Sequence, residues 1–386
     1  MKKARFFFGL AVLCGIQPAC AEPPPPPAIE RLAMWCEFLP YGDILPCLPV
    51  LARYRCDLIL HVERESLEDP SLPALLRAAE QAGVGVDAWL LLPYDEHLYV
   101  GQASMAATRR LALEAADYFT REGLAVRSFV FDCEPSPLLG RELFAACLTL
   151  SPRQLVRILK EQLDPDEFQR DVQALNELIA ALRGKGYGVD GAANRAFLDA
   201  QQRGNVALED ALNAPVSGIG WDALSFITYR YQVSQESYVG MLNRYATLAK
   251  RFYGPRAAMD VGLIGDYADI PQNAERAALF GGGDLFYNYL YGMRDTRDLE
   301  QAVGTVLGCG VRRINLYALD GAVTSVAGLE SWLKAARRAR PHSFWKRWTP
   351  AASLQYGLLG ALTEKGFRWC TGASRKTHGE IYVEEP

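Results

Sequence analysis

Between residues 31 and 340 the sequence repeats one pattern, a short apolar run of strand-forming residues followed by a stretch with helical spacing. The runs are Arg31–Phe38, Cys56–Glu63, Val84–Leu92, the start of Val126–Pro135, Tyr187–Ala193, Ala223–Tyr231, Ala257–Ile264 and Arg312–Leu319. Helical segments are predicted at Ile44–Tyr54, Ala74–Gly83, Met105–Gly123, Asp164–Arg183, Tyr238–Tyr253, Ala274–Phe280, Thr296–Leu307 and Leu329–Arg340. Strands buried on both faces read as continuous apolar runs, and strands that alternate with helices pair in parallel through right-handed crossovers. Eight such units in about 310 residues predict an α/β fold, a single (β/α)8 TIM barrel over residues 30–341. A doubly wound open sheet is the alternative, but no GxGxxG follows the first strand. Residues 136–185, rich in helix formers, read as a helical insertion after strand 4 that covers the barrel mouth.

The flanks read differently. Lys2, Lys3 and Arg5 precede an apolar core at Phe6–Ile16, and Ala19-Cys20-Ala21 supplies small residues for cleavage. Residues 1–21 are therefore expected to be a signal peptide, with a mature chain starting near Glu22 in the periplasm or outside the cell. Neither Leu13 nor Gln17 suits a lipobox ahead of Cys14 or Cys20. Residues 22–29, with Pro23–Pro27, read as a stiff spacer. Residues 342–386 form a short C-terminal extension in which Phe344, Trp345 and Trp348 are expected to pack outside the barrel and Arg375–Pro386 to be a loose tail. A net charge of −4 argues against a nucleic-acid partner, and no apolar run long enough to cross a membrane follows the leader. Of the cysteines after the leader, Cys36, Cys47 and Cys56 are close enough in sequence for a disulfide pair among them. No Cys/His spacing suggests zinc, and neither a metal nor another cofactor is expected.

The fourth run, VRSFVFDCEP, carries the chemistry. Side chains alternate along a strand, so Asp132 and Glu134 share a face with Val130, while Phe129, Phe131 and Cys133 take the other. Two carboxylates about 6–7 Å apart repel each other, and partial burial lifts one pKa towards neutrality. That is one way to place a general acid beside an anion. In this fold, strand C-termini form the active site. Trp35 and Glu37 share a face of the first strand, His61 and Glu63 of the second, and Asp87 and Trp89 of the third. Tyr229, Arg230 and Tyr231 end the sixth, Asp266 follows the seventh, and Tyr317 and Asp320 lie at the end of the eighth. Carboxylates among flat rings suit a poly- or oligosaccharide, whose hydroxyls take hydrogen bonds while its C–H faces stack.

Three segments together resemble glycoside hydrolase family 18, the chitinase-like barrels. Asp132-Cys133-Glu134 is similar to the Asp-x-Glu that closes that family's fourth-strand motif, although Arg127 and Val130 stand at its outer aspartate positions. Asp222–Tyr231 resembles the sixth-strand element, with Ile227 at its methionine and Tyr229 at its tyrosine. Tyr317–Gly321 is similar to the end of the eighth strand. The resemblance implies that Glu134 is the general acid and that Asp132 orients the substrate's 2-acetamido group, whose carbonyl attacks the anomeric carbon. Tyr229 would hold that carbonyl, and Tyr317 would form the subsite floor.

Three functions compete. The leading one is an exported glycoside hydrolase with catalytic Glu134, Asp132 and Tyr229. A retaining glycosidase would instead pair Glu134 with a carboxylate nucleophile, Asp260 or Asp266. The third is a barrel that binds glycan without cleaving it.

Overall fold

The computed structural model describes residues 29–93, 96–148, 152–230, 234–265, 292–293 and 295–342. It is a closed barrel of eight parallel strands in sequence order. These are β1 (Arg31–Cys36), β2 (Cys56–Val62), β3 (Val86–Leu90), β4 (Ser128–Cys133), β5 (Gly188–Asn194), β6 (Ala223–Tyr229), β7 (Ala257–Gly262) and β8 (Arg313–Tyr317). Pairing of β1 with β8, Leu32 opposite Ile314, closes the ring. The single (β/α)8 barrel predicted from the alternation is the fold.

The outward residues explain why the runs are apolar throughout. Leu32, Met34, Leu58, Leu60, Phe129, Phe131, Phe226, Met259, Ile314 and Leu316 all join the core between strands and helices. Each such side chain contributes roughly 1.5–3 kcal/mol on burial. The surrounding helices include α1 (Leu48–Arg53), α2 (Ser71–Ala82) and α3 (Met105–Glu122). Gly123 ends α3 at φ +59°, a left-handed conformation that costs glycine no Cβ clash.

Residues 136–185 contain two kinds of helix. α4 (Pro137–Leu148) and α5 (Pro152–Glu161) are additional, and join through Leu139, Ala146 and Ile158. α6 (Pro165–Gly184) is the barrel's own crossover helix, capped by Asp164, whose side chain accepts from Glu167 N at 2.9 Å. After β5 come α7 (Ala196–Gln201) and α8 (Ala207–Ala211). Leu159 of α5 and Leu163 pack on Ala207 and Ala211 of α8, so the additional helices are seated beside the β5–β6 connection. α9 (Gln235–Tyr253), α10 (Thr296–Gly308) and α11 (Gly328–Arg338) complete the described helices used below. Cys36, Cys47 and Cys56 are free thiols, so the expected pair among them is absent. The predicted leader, the proline spacer, the helix at 274–280 and residues 343–386 of the extension lie outside the described residues.

Candidate active site

Inward positions divide the barrel into a charged floor and a reactive mouth. At the N-terminal end, Arg31 meets Asp57 and Asp190, each at 3.3 Å, and also binds Asp87. Arg127 adds contacts to Asp57 at 2.8 Å and Asp87 at 3.1 Å. Asp87, expected among the saccharide ligands, thus belongs to the floor. β3 starts at Val86, so the second residue of the strand is still at the end opposite the active face.

At the other end, Asp132 is 6% exposed and Glu134 is half-buried just past β4. Burial pushes Glu134 up to about 7; Arg195 lowers it, Asp260 raises it, and a hydrogen bond with Asn194 lowers it. Burial likewise lifts Asp132 well above the carboxylate range, with Glu134 and then Asp260 adding to the effect. Asp132 Oδ1 is buried and meets no hydrogen-bond partner among the described residues. The same holds for Trp89 Nε1 and His61 Nε2. Unpaired polar atoms in a dry interior are unfavourable unless a ligand's polar groups complete them.

A chain of rings crosses the mouth. Trp35 and Trp89 meet edge to face with centroids 4.9 Å apart. Trp35 lies 6.3 Å from Tyr317, and Tyr317 lies 4.6 Å from Tyr229 at an interplanar angle of 33°. Gly262 makes the last contact possible, because a Cβ there would fall 2.9 Å from that of Tyr317. The hydroxyl of Tyr317 donates to Glu37. His61 Nδ1 lies 3.1 Å from the carbonyl of Glu37, and its Nε2 lies 3.9 Å from Glu63. Burial lowers the His61 pKa, with Glu63 and Asp320 opposing, which favours a neutral ring with its proton on Nδ1.

The remaining expected residues have other surroundings. Arg230 Nη1 is held by Asp298 at 2.8 Å and Gln235 at 3.2 Å, which ties it to α9 and α10. Asp320, also expected to touch substrate, is 1% exposed and accepts from the backbone N–H groups of Glu37, Phe38 and Leu39 at 2.7–3.0 Å. Its carboxylate pins the loop after β1 and has no face towards a ligand. The eighth strand ends at Tyr317, and Asp320 is carried away in the helical turn Leu319–Thr324. Tyr231 and Asp266 lie outside the described residues.

Two inward residues carry more of the site than the sequence suggested. Asn194 reaches Glu134 from the end of β5. Asp260 is completely buried in β7 and accepts from Trp35 Nε1 at 3.1 Å, Asn315 Nδ2 at 2.8 Å and Ser225 Oγ at 2.7 Å. A lone aspartate inside the apolar run AAMDVGLI was the available signal for the second. Among the described residues no group of His, Cys, Asp and Glu is arranged to hold a metal ion.

No family model matches the sequence, and no curated protein matches it either. Among solved structures, the chain is similar to the PgaB (BpsB) glycoside hydrolase domain from Bordetella bronchiseptica, at 10% identity over 82% of this chain and 100% of that one, with a TM-score of 0.47. A catalytic domain of the Group II chitinase of Ostrinia furnacalis matches at 13% identity over 81% and 98%, with a TM-score of 0.44. A D-allulose 3-epimerase from Methylomonas sp. matches at 11% identity over 87% and 99%, with a TM-score of 0.40.

Proposed function

We propose that this chain is an exported glycoside hydrolase acting on a poly- or oligosaccharide, with Glu134 as its general acid. The observation that carries the reading is the state of Glu134. It is half-buried just past the C-terminal end of β4 and lifted to about 7, so near neutral pH it can both hold and release a proton. Glu134 protonates the glycosidic oxygen as the bond to the anomeric carbon breaks. Asp132 orients the substrate's acetamido group, whose carbonyl oxygen bonds to that carbon. Water then opens the cyclic intermediate while Glu134, now a carboxylate, accepts its proton. Tyr229 steadies the acetamido carbonyl, and the half-buried Tyr229 ring and the edge of Tyr317 take the apolar sugar face, backed by Trp35 and Trp89, which are 2% and 3% exposed.

Of the two candidate carboxylates for a retaining nucleophile, Asp260 is unsuited to that role. Both of its oxygens are engaged and it is fully enclosed, so it is not disposed to attack an anomeric carbon. Export belongs to the same reading, and N-terminal sequencing of secreted material should find a start near Glu22. The purified protein, screened on a panel of labelled polysaccharides, should release reducing ends from at least one N-acetylated glycan. Binding without cleavage across the panel would make it a glycan-binding barrel instead.

A further inference from the structure

The barrel interior holds three carboxyl groups in one poorly solvated space, Asp132 and Glu134 at the end of β4 and Asp260 in β7. Only Glu134 opens appreciably to the mouth. The two enclosed ones differ sharply in what surrounds their oxygens. Asp260 receives three donors on two oxygens, the Trp35 indole and Asn315 amide on Oδ1 and the Ser225 hydroxyl on Oδ2. Such a shell favours the anion. Asp132 is nearly as enclosed, at 6% exposed against 0% for Asp260, yet its Oδ1 receives no donor among the described residues. A carboxylate oxygen buried without a donor is strongly disfavoured, and a carboxyl group so placed keeps its proton.

Asp260 raises Asp132 electrostatically, and two like charges acting on each other in a dry site cannot both form cheaply, so the donors decide which group is charged. We propose that Asp260 is the standing anion of the site and that Asp132 rests as a neutral carboxylic acid, which makes Asp260 a positioning residue that sets the protonation of the pair above it. Electrostatics agree in direction. Burial lifts Asp132 well above the usual range, with Glu134 and Asp260 contributing. It lifts Asp260 only to about 6, because Asn315, Ser225 and Trp35 hold the charged form.

The other charged groups do not reverse the order. Arg195, beyond Asn194 at the end of β5, lowers Glu134 and is not among the groups that stabilise an Asp132 anion. Glu37 and His61 face the mouth from β1 and β2, the first occupied by Tyr317 and the second kept neutral by burial. From below, Arg31 and Arg313 line a small cavity with Ser225 and Asn315, and Arg31 is already bound by the floor aspartates.

The consequence concerns the substrate and rests on the reading of Asp132 as the group facing the sugar's C2 substituent. A neutral carboxylic acid offers one O–H donor and one carbonyl acceptor, which suits an acylated amine. An anion there would suit a free ammonium group instead. The site is therefore built for N-acylated sugar over its deacylated form.

The titration itself does not depend on any glycan. In full-length protein carrying 13C-labelled carboxyls, the Asp132 resonance, assigned by its loss in Asp132→Asn, should titrate well above the usual carboxylate range and above that of Asp260. In Asp260→Asn the Asp132 midpoint should fall, because one like charge is removed. Ser225→Ala removes one donor with little change of shape. It should move the Asp260 midpoint up and that of Asp132 down, and it carries the test if Asp260→Asn does not fold. An Asp132 already ionised at neutral pH in the wild type, or midpoints unmoved in the variants that fold, would overturn the proposal.

Discussion

Glu134 and Asp132 are two residues apart in sequence, yet their surroundings give them different work. Glu134 has access to the mouth and is held near neutrality by burial against the pull of Arg195 and Asn194. Glu134→Gln keeps the shape and removes the transferable proton, so turnover should fall by a factor on the order of 10²–10⁴ with glycan binding retained. Steady-state kinetics beside a binding isotherm would check this, and a variant as fast as wild type would rule Glu134 out as the acid. Because the acid must be protonated to act, the rate should decline as pH rises through about 7. Arg195 lowers the Glu134 pKa, so Arg195→Met should shift that alkaline limb to higher pH. A pH profile whose limb stays put in the variant would separate Arg195 from the acid. Tyr229→Phe removes one hydroxyl and leaves the ring contact with Tyr317, so its effect should be smaller, about 0.5–1.5 kcal/mol in the barrier, read as kcat/KM.

The strands behave as their composition dictates. Phe129 is fully buried between Phe119 of α3, at 6.1 Å, and Tyr187 ahead of β5, at 5.0 Å. Phe129→Ala should cost about 3–5 kcal/mol of stability in urea denaturation, because neither ring can follow the deleted side chain. That outward burial is why the strand segments were legible in the sequence: with helices outside and packing inside, nearly every position must be apolar, and the exceptions stand out. Asp132 and Glu134 were readable as such exceptions. Asp87 was readable as an inward polar residue but not as a floor residue, because alternation gives the face and not the height along the barrel. A shift of two residues along one face separates the floor from the middle layer. Asp320 misled for a related reason. Its sequence neighbourhood looked like a strand end, while the chain had already turned and its oxygens were taken by three backbone N–H groups. The helices after β4 were legible as helices, but their seat on α8 depends on Ala207 and Ala211, more than forty residues away in sequence.

At the scale of the whole molecule, the barrel separates charge that holds the fold from charge disposed to react. The floor couples β1 to β2, β3 and β5 through one guanidinium, since Arg31 reaches Asp57, Asp87 and Asp190 at once. Arg127 shares two of those aspartates but is itself considerably more exposed. Removing Arg31 would leave Asp87, whose side chain is 1% exposed, with Arg127 as its only cation among the described residues, and Asp190 without its cation from β1. Taking away one member of a buried ion pair costs far more than replacing the whole pair with apolar groups, because the remaining charge stays desolvated. Arg31→Met should therefore destabilise the barrel by about 3 kcal/mol, the lower end of the range for a broken buried pair, since Arg127 remains. The double variant Arg31→Met, Asp87→Leu should recover part of that loss. Glycan binding should be unchanged in either variant under conditions where it is folded, because the floor lies at the end of the strands opposite Glu134. Chemical denaturation of the single and double variants, with binding measured in parallel, separates the outcomes. A single variant as stable as wild type would mean that backbone pairing alone closes the ring. A folded variant with lost binding would mean that the floor and the mouth are coupled through the interior carboxylates.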